Sequence, residues 1–199
     1  MSRSQEIAAS HYEGCGNDFI LIDNRQDLLP QFSPGLVRQL CQQEKGNPID
    51  GLILVCSSKN ADVSMKFFNC DGNEAEMCGN GVRCLMQFLR QKLSYPRTRC
   101  LLETKKRDLL IRCEDDEVVV HMGQITAIEW NIELACGSTK YLLQHVNSGV
   151  PHVVIFVPDV DAINVQEVGA YFRSHPHFGQ AGTNVNFVEI TNRAPPHTA

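Results

Sequence analysis

Cys78 is the residue of this chain best placed to do chemistry. It stands in Glu74-Ala75-Glu76-Met77-Cys78-Gly79-Asn80-Gly81, between two segments of different periodicity. Before it, Val63, Met65 and Phe67 alternate as on a half-buried strand, and Asp71-Gly72 breaks that run with a turn signal. After it, Val82, Leu85, Met86, Leu89 and Leu93 recur at helical spacing, which predicts a helix from Gly81 to about Leu93. A cysteine at that junction meets the unpaired N–H groups and the positive dipole end of a helix. Such a place stabilises a thiolate and also receives an anion such as a carboxylate. Glu74 and Glu76 oppose this, because neighbouring carboxylates raise a thiol pKa. The bland alternative is a structural cysteine at a helix start.

The stretch Asn69-x-Asp71-Gly72-x-Glu74-x-Glu76-Met77-Cys78-Gly79-Asn80-Gly81-x-Arg83-Cys84 resembles the first active-site signature of the diaminopimelate epimerase family. Gly14-x-Gly16-Asn17-Asp18-Phe19 is similar to the opening signature of the same family, and the resemblance runs from about His11 to Ile190. It implies an α+β fold of two pseudo-symmetric lobes, each a mostly antiparallel curved sheet wrapped around a central helix. It also implies inversion of the α-carbon of LL-2,6-diaminopimelate to the meso form without pyridoxal phosphate or any other cofactor. Two cysteines on opposite faces of the substrate would carry the protons, Cys78 being one of them. Matched position by position, Asn17, Asn69 and Asn184 are substrate-binding asparagines, and Gly79 with Asn80 is the carboxylate-binding pair. His152 matches a histidine that tunes the cysteines. Val150 and Gly51 depart from the pattern, standing where many members have an asparagine and some a glutamine, which bears on substrate specificity. A homodimer is implied as well. Two other readings stay open: a related amino-acid racemase of the same fold, and a cysteine hydrolase or acyltransferase with Cys78 as nucleophile and His152 as base.

Taken on their own residue types, several of these positions also have plain structural uses. Asn17, Asn69 and Asn184 could be turn residues bonding their own backbone, and His152 a satisfied core histidine. The family pattern is what lifts them above that.

Positioning these groups requires a set of regular elements. Phe19-Ile20-Leu21-Ile22 reads as a strand after the Gly14/Gly16 turn. Ser33-Pro34 opens a helix with Leu36, Val37, Leu40 and Cys41 as its buried face and Gly46 as its stop, and Leu52 to Cys56 is the next strand. Strands are expected at Cys100–Glu103, Leu109–Cys113 and Val118–Met122, the last two joined by a hairpin at Asp115-Asp116. Lys105, Lys106 and Arg107 read as a solvated turn.

The first half closes near Gly123, giving one lobe over 1–123 and the first part of a second over 124–199. There the pattern begins again. Gly149-Val150-Pro151-His152 leads into Val153–Val157, Val165, Val168 and Phe172 suggest a short helix, and Gly182-Thr183-Asn184 leads into Val185–Ile190. Cys78 follows Asn17 by 61 residues, and the same spacing from Val150 falls at about position 211. The second cysteine loop is therefore expected outside these 199 residues, and the chain reads as a fragment. The substrate is expected in a cleft between the lobes. Cys136-Gly137-Ser138-Thr139 looks superficially like the second signature but precedes the repeated strand, so it is set aside.

Composition excludes other classes. The 18 basic against 23 acidic residues, net −5, argue against a nucleic-acid surface, and 43% hydrophobic residues suit a globular core. No apolar run approaches the ~20 residues of a membrane span. Residues 1–10 do not form a secretory signal, so a cytoplasmic place is expected, with a small amino-acid substrate and no membrane partner. Nine cysteines, an odd number without a Cys-x-x-Cys pair, argue against a disulfide framework or a structural zinc site. Cys41, Cys56, Cys100, Cys113 and Cys136 read as buried or half-buried hydrophobes. The spacing of Cys70, Cys78 and Cys84 suits neither zinc nor an iron–sulfur cluster, and His175-Pro176-His177 reads as a loop.

Overall fold

A computed structural model describes residues 8–191, leaving out 28, 30–31, 43–48 and 116. Gly46, expected to end the first helix, and Asp116 lie outside the described residues. The chain divides into two compact units, Met1–His121 and Met122–Ala199.

The first unit is α+β. Its strands are β1 (Ala9–Gly14), β2 (Asn17–Asp23), β3 (Gly51–Cys56), β4 (Val63–Asn69), β5 (Glu74–Ala75), β6 (Arg99–Glu103), β7 (Asp108–Glu114) and β8 (Glu117–His121). They form one sheet in the order β1-β2-β3-β4-β6-β7-β8, with β5 paired to β4. Pairing is antiparallel except between β2 and β3 and between β4 and β6. The helix α2 (Gly79–Lys92) packs against β1, β2 and β3 and also against β8. A helix that touches both edge strands of so long a sheet has the sheet curled around it. Its stripe explains why: Val82, Leu85, Met86 and Leu89 are fully buried, each stabilising the fold by roughly 2 kcal/mol. Arg90 and Lys92 sit in its last turn, where cations suit the dipole.

A second helix, α1 (Pro34–Cys41), covers the opposite face of the sheet. The Ser33 side chain accepts a hydrogen bond from the Leu36 N–H at 3.2 Å, and proline occupies the first turn. Val37 and Cys41 are buried as their spacing predicts, whereas Leu36, also placed on the buried face, is 39% exposed. It lies at the margin of a helix too short to bury a wide stripe.

The second unit holds β9 (Thr126–Cys136), β10 (Thr139–Asn147), β11 (Pro151–Phe156), α3 (Val165–Arg173) and β12 (Asn184–Val188), with sheet order β12-β11-β10-β9. The repeat seen in the sequence is present in the pairing. In the first unit β1 and β2 are antiparallel, and β2 runs parallel to β3 across α1; in the second, β10 and β11 are antiparallel, and β11 runs parallel to β12 across α3. Phe19 pairs with Gly51 and His152 with Asn184, so both crossovers span 32 residues. Val168 and Phe172 are buried on α3, whereas Val165, expected with them, is 52% exposed at the helix start.

The hairpin of β9 and β10 has no counterpart in the sequence reading. Ala127 and Asn131 adopt positive φ and the register shifts twice along the pair, which erases the alternation that marks a strand. Cys136 pairs with Thr139, making Cys136-Gly137-Ser138-Thr139 the turn of this hairpin. It thus lies between the second unit's first two strands, not before them. Among the described residues no helix is long and apolar enough to cross a membrane. All nine cysteines are free, and Cys41, Cys56, Cys100, Cys113 and Cys136 take buried or half-buried places.

Candidate active site

Cys78 is the N-cap residue of α2, in extended conformation, with its carbonyl accepting from the Val82 N–H at 2.9 Å. The helix begins two residues earlier than the apolar stripe predicts, so Gly79 and Asn80 form its first turn. Cys78 is half-buried and packs against the core around α2. Burial pushes its thiol pKa above the ordinary value, and the negative charge of Asp50 adds to that. The backbone N–H groups of Gly81 and Asn80 act in the opposite direction and do not win. Their geometry falls short of a capping hydrogen bond, so the dipole is felt without a formed bond to sulfur.

Glu74 and Glu76 play a different part from the one expected of them. Glu74 pairs with Lys105 at 3.3 Å and Glu76 with Lys106 at 2.5 Å, and neither is what raises Cys78. Lys105 and Lys106, read as a solvated turn, therefore tie the turn after β6 to the strand and loop leading into α2. The sequence spacing of about thirty residues carries no local signal for such pairs.

Around Cys78 the first unit gathers several of the expected residues. The Asn17 side chain accepts from Asn80 Nδ2 at 2.9 Å, while Asn17 Nδ2 donates to Asp50 Oδ2 at 3.2 Å. The same Asp50 oxygen accepts from the Asp18 backbone N–H at 2.8 Å. Asn69 ends β4 directly opposite Gly51, and the Cys70 N–H donates to the Asp50 carbonyl at 3.0 Å. Asn17, Asn69, Cys78 and Asn80 thus cluster at one end of the sheet, with Gly79 beside Cys78 and half-exposed. Asp50 is the member that sequence reasoning missed, because Asp50-Gly51 reads as a turn leading into a strand.

Gly51 has a packing reason to be glycine here. A Cβ built on it would lie 2.6 Å from the Phe68 carbonyl oxygen and 2.5 Å from the Phe67 ring. A glutamine at this position would have to displace backbone, so the departure at Gly51 goes with the pairing of β3 and β4. Arg38 on α1 was also missed; its Nη1 donates to the Asp71 carbonyl at 2.9 Å and holds the loop before Cys78.

His152 and Asn184 belong to the second unit, where they pair across β11 and β12. Asn184 Nδ2 donates to the Pro151 carbonyl at 3.2 Å, and its oxygen accepts from Arg173 Nη1 at 3.4 Å. His152 Nδ1 lies 3.2 Å from Asn186 Nδ2, which also donates to the Val153 carbonyl at 3.0 Å. These four side chains line a cavity of about 380 Å³ with Val165, Gly169, Val185 and Phe187. Val150 is half-exposed before β11, and His175 caps a short 3-10 turn (Pro176–Phe178) within which His177 faces Glu129 at 3.3 Å.

Burial lowers the His152 pKa below its usual 6.5. As pH falls below that value, the unfolded chain takes up a proton that the folded one resists, so stability should fall. The urea midpoint is expected to be lower at pH 5.5 than at pH 7.5, with His152→Gln narrowing the gap. An unchanged gap would remove His152 from the acid response.

The sequence profile of diaminopimelate epimerase matches residues 9–128. The diaminopimelate epimerase of Synechocystis sp. is 35% identical over 204 residues, covering 92% of this chain and 71% of the relative. That of a Hydrogenobaculum species is 38% identical over 192 residues, covering 90% and 69%. Among solved structures, a phenazine biosynthesis protein of the PhzF family from Bacillus anthracis has a TM-score of 0.66 at 17% identity, covering 94% of this chain and 68% of that one. A hydroxyproline epimerase from Agrobacterium vitis gives 0.53 at 15% identity, covering 87% and 57%. At those identities the two structures speak for the fold alone, a curled α+β fold shared with epimerases. With the profile spanning most of the first unit and relatives matched over nine-tenths of its residues, the chain belongs to the diaminopimelate epimerase family, a family of isomerases.

Proposed function

We propose that this chain belongs to an epimerase that inverts the α-carbon of LL-2,6-diaminopimelate to the meso form without a cofactor, and that it supplies Cys78, one of the two thiols that carry the protons. The observation that carries the reading is Cys78 itself, half-buried at the N-cap of α2 and flanked by a locked Asn17–Asn80 pair. An α-proton beside a carboxylate is far less acidic than a thiol, so the developing charge needs fixed donors in a dry site. The Gly79 N–H and the remaining amide hydrogens of Asn80 and Asn17 are such donors. With its pKa raised, Cys78 holds its proton at neutral pH. It is therefore suited to deliver a proton in one direction and, as the thiolate this leaves, to remove one in the other. Asn69, Asn184 and His152 complete the proposed set, the asparagines for binding and His152 for tuning.

Stereoinversion needs an acid and a base on opposite faces, and residues 1–199 are proposed to supply one of them. The test is solvent-deuterium incorporation at the α-carbon. These residues alone are expected not to invert LL-diaminopimelate, and a chain extended by a segment with an Ala-Cys-Gly-Thr-type loop is expected to do so. Full exchange and inversion by the shorter chain would overturn the assignment of the second base and return attention to Cys136. The same reading takes the enzyme as a cytoplasmic homodimer acting on a free amino acid, with no nucleic-acid or membrane partner.

The hydrolase reading is less well supported. It needs an imidazole on the nucleophile; His152, the base it names, is hydrogen-bonded within the second unit to Asn186, and the described histidines of the first unit, His11 and His121, are exposed, with His11 paired to Asp18 at 2.9 Å.

A further inference from the structure

We infer that Asp50 is a positioning residue for the proposed site: its carboxylate fixes the orientation of the Asn17 amide and, through Asn17, that of Asn80. The inference rests on the reading of Cys78, Asn17 and Asn80 given above, and it adds a residue that neither signature contains. An asparagine amide can be flipped end for end with little change in shape, so its orientation must be imposed by its partners. Here the imposition is complete on both sides. Asp50 Oδ2 can only accept, so it selects the Nδ2 end of Asn17, at 3.2 Å. That leaves Asn17 Oδ1 as the end facing α2, where it accepts from Asn80 Nδ2 at 2.9 Å. Without the carboxylate the Asn17 amide could turn its NH2 toward the NH2 of Asn80, and the pair would separate.

Asp50 is itself well placed to impose this. The same oxygen is held by the Asp18 N–H at 2.8 Å, and the Asp50 backbone is fixed on both sides, its N–H donating to the Asp18 carbonyl at 2.8 Å and its carbonyl accepting from Cys70 at 3.0 Å. These main-chain bonds survive any change of side chain. The carboxylate also acts on Cys78, helping to keep its proton in place. Cys84 on α2, pushed up to about 11 by burial first and then by Cys78, faces Arg83, Glu13 and Cys15 as well, while Glu74 and Glu76 are engaged by Lys105 and Lys106.

Position and charge can be separated by two substitutions, read in the absence of substrate. Asp50→Ala removes the acceptor, and the side-chain amide resonances of both Asn17 and Asn80 are expected to move in 15N NMR spectra. Asp50→Asn can place its one amide oxygen where Oδ2 stands, so both resonances should stay near their wild-type positions. In both variants Cys78, followed peptide by peptide in mass spectra, should be alkylated by iodoacetamide about threefold faster at pH 7.5, since a neighbouring negative charge is gone. If Asp50→Ala does not fold, Asp50→Ser removes the same contact with a hydroxyl too short to reach Asn17. An Asn80 amide unmoved by loss of the Asp50 acceptor overturns the positioning role. An unchanged Cys78 rate in both variants overturns the electrostatic one. Neither result touches the assignment of Cys78 as a proton carrier, which falls instead if Cys78→Ser still exchanges the α-proton.

Discussion

Cys78→Ser in a chain able to turn over diaminopimelate is expected to cut α-proton exchange by about 10³-fold while leaving substrate affinity within a fewfold of wild type. The two side chains are close in size, and the N-cap accepts serine readily, so the loop and α2 should keep their places. What changes is the proton. A hydroxyl is a far weaker acid than a thiol, and its conjugate base is not populated at the pH of the reaction, so the helix dipole has no anion to stabilise. The pH profile adds a second check. Because burial and Asp50 raise the Cys78 pKa above its ordinary value of 9.0, exchange in the direction that uses its thiolate should still be rising at pH 9. Deuterium incorporation followed by mass spectrometry from pH 6 to pH 9.5 measures both. Substantial exchange by Cys78→Ser, or a plateau by neutral pH, would mean that another group takes the proton. A burst of product with a mass adduct on Cys78 would instead favour the hydrolase reading.

The central strand, the cysteine loop and α2 were legible in the sequence because each bears a local signature. Strict alternation marks β4, Asp71-Gly72 marks the turn, and a stripe of period 3.6 marks the helix. The repeat was legible for the same reason, since β2-α1-β3 and β11-α3-β12 are short elements with Gly-rich entries. Strands without a marked apolar alternation were not. β1 alternates half-buried with exposed residues and contains no run of apolar ones; β9 and β10 lose their alternation to two bulges. For the candidate site, Asn17, Asn69, Cys78, Gly79 and Asn80 were singled out because the family pattern names them, and the structure brings four of them to one end of a sheet. Asp50 and Arg38 went unnoticed. Both act on partners 32 or 33 residues away, Asp18, Asn17 and Asp71, across a crossover whose geometry no local pattern encodes. The pairs Glu74–Lys105 and Glu76–Lys106 escaped for the same reason.

Gly72→Ala is expected to cost about 3 kcal/mol of stability, lowering Tm by roughly 10 °C. Gly72 has φ of +91°, a conformation that an L side chain adopts only under strain. It is also buried, and a Cβ built on it collides with the backbone of Pro34, including the carbonyl oxygen, and comes within 2.8 Å of the Pro34 Cα. That wall cannot move cheaply. Pro34 is locked into the first turn of α1, and Arg38 from the same helix clamps the neighbouring Asp71 carbonyl. The other glycines of the same motif sit under different constraints. At Gly81 the nearest atoms to an added Cβ are the ends of Ile53 and Met65, at 2.9 and 3.4 Å, which can shift. At Gly79 nothing lies within 4 Å, so Gly79→Ala should hold or slightly raise Tm, because alanine favours the helix. On the proposed reading that substitution crowds the carboxylate and weakens substrate binding instead. Thermal unfolding of the two variants together with diaminopimelate titrations separates the roles: Gly72 lets the loop lie on α1, and Gly79 leaves room above the helix end. Equal losses of Tm in both would show that the motif's glycines serve one common structural need, and the assignment of Gly79 to the substrate would lose its support.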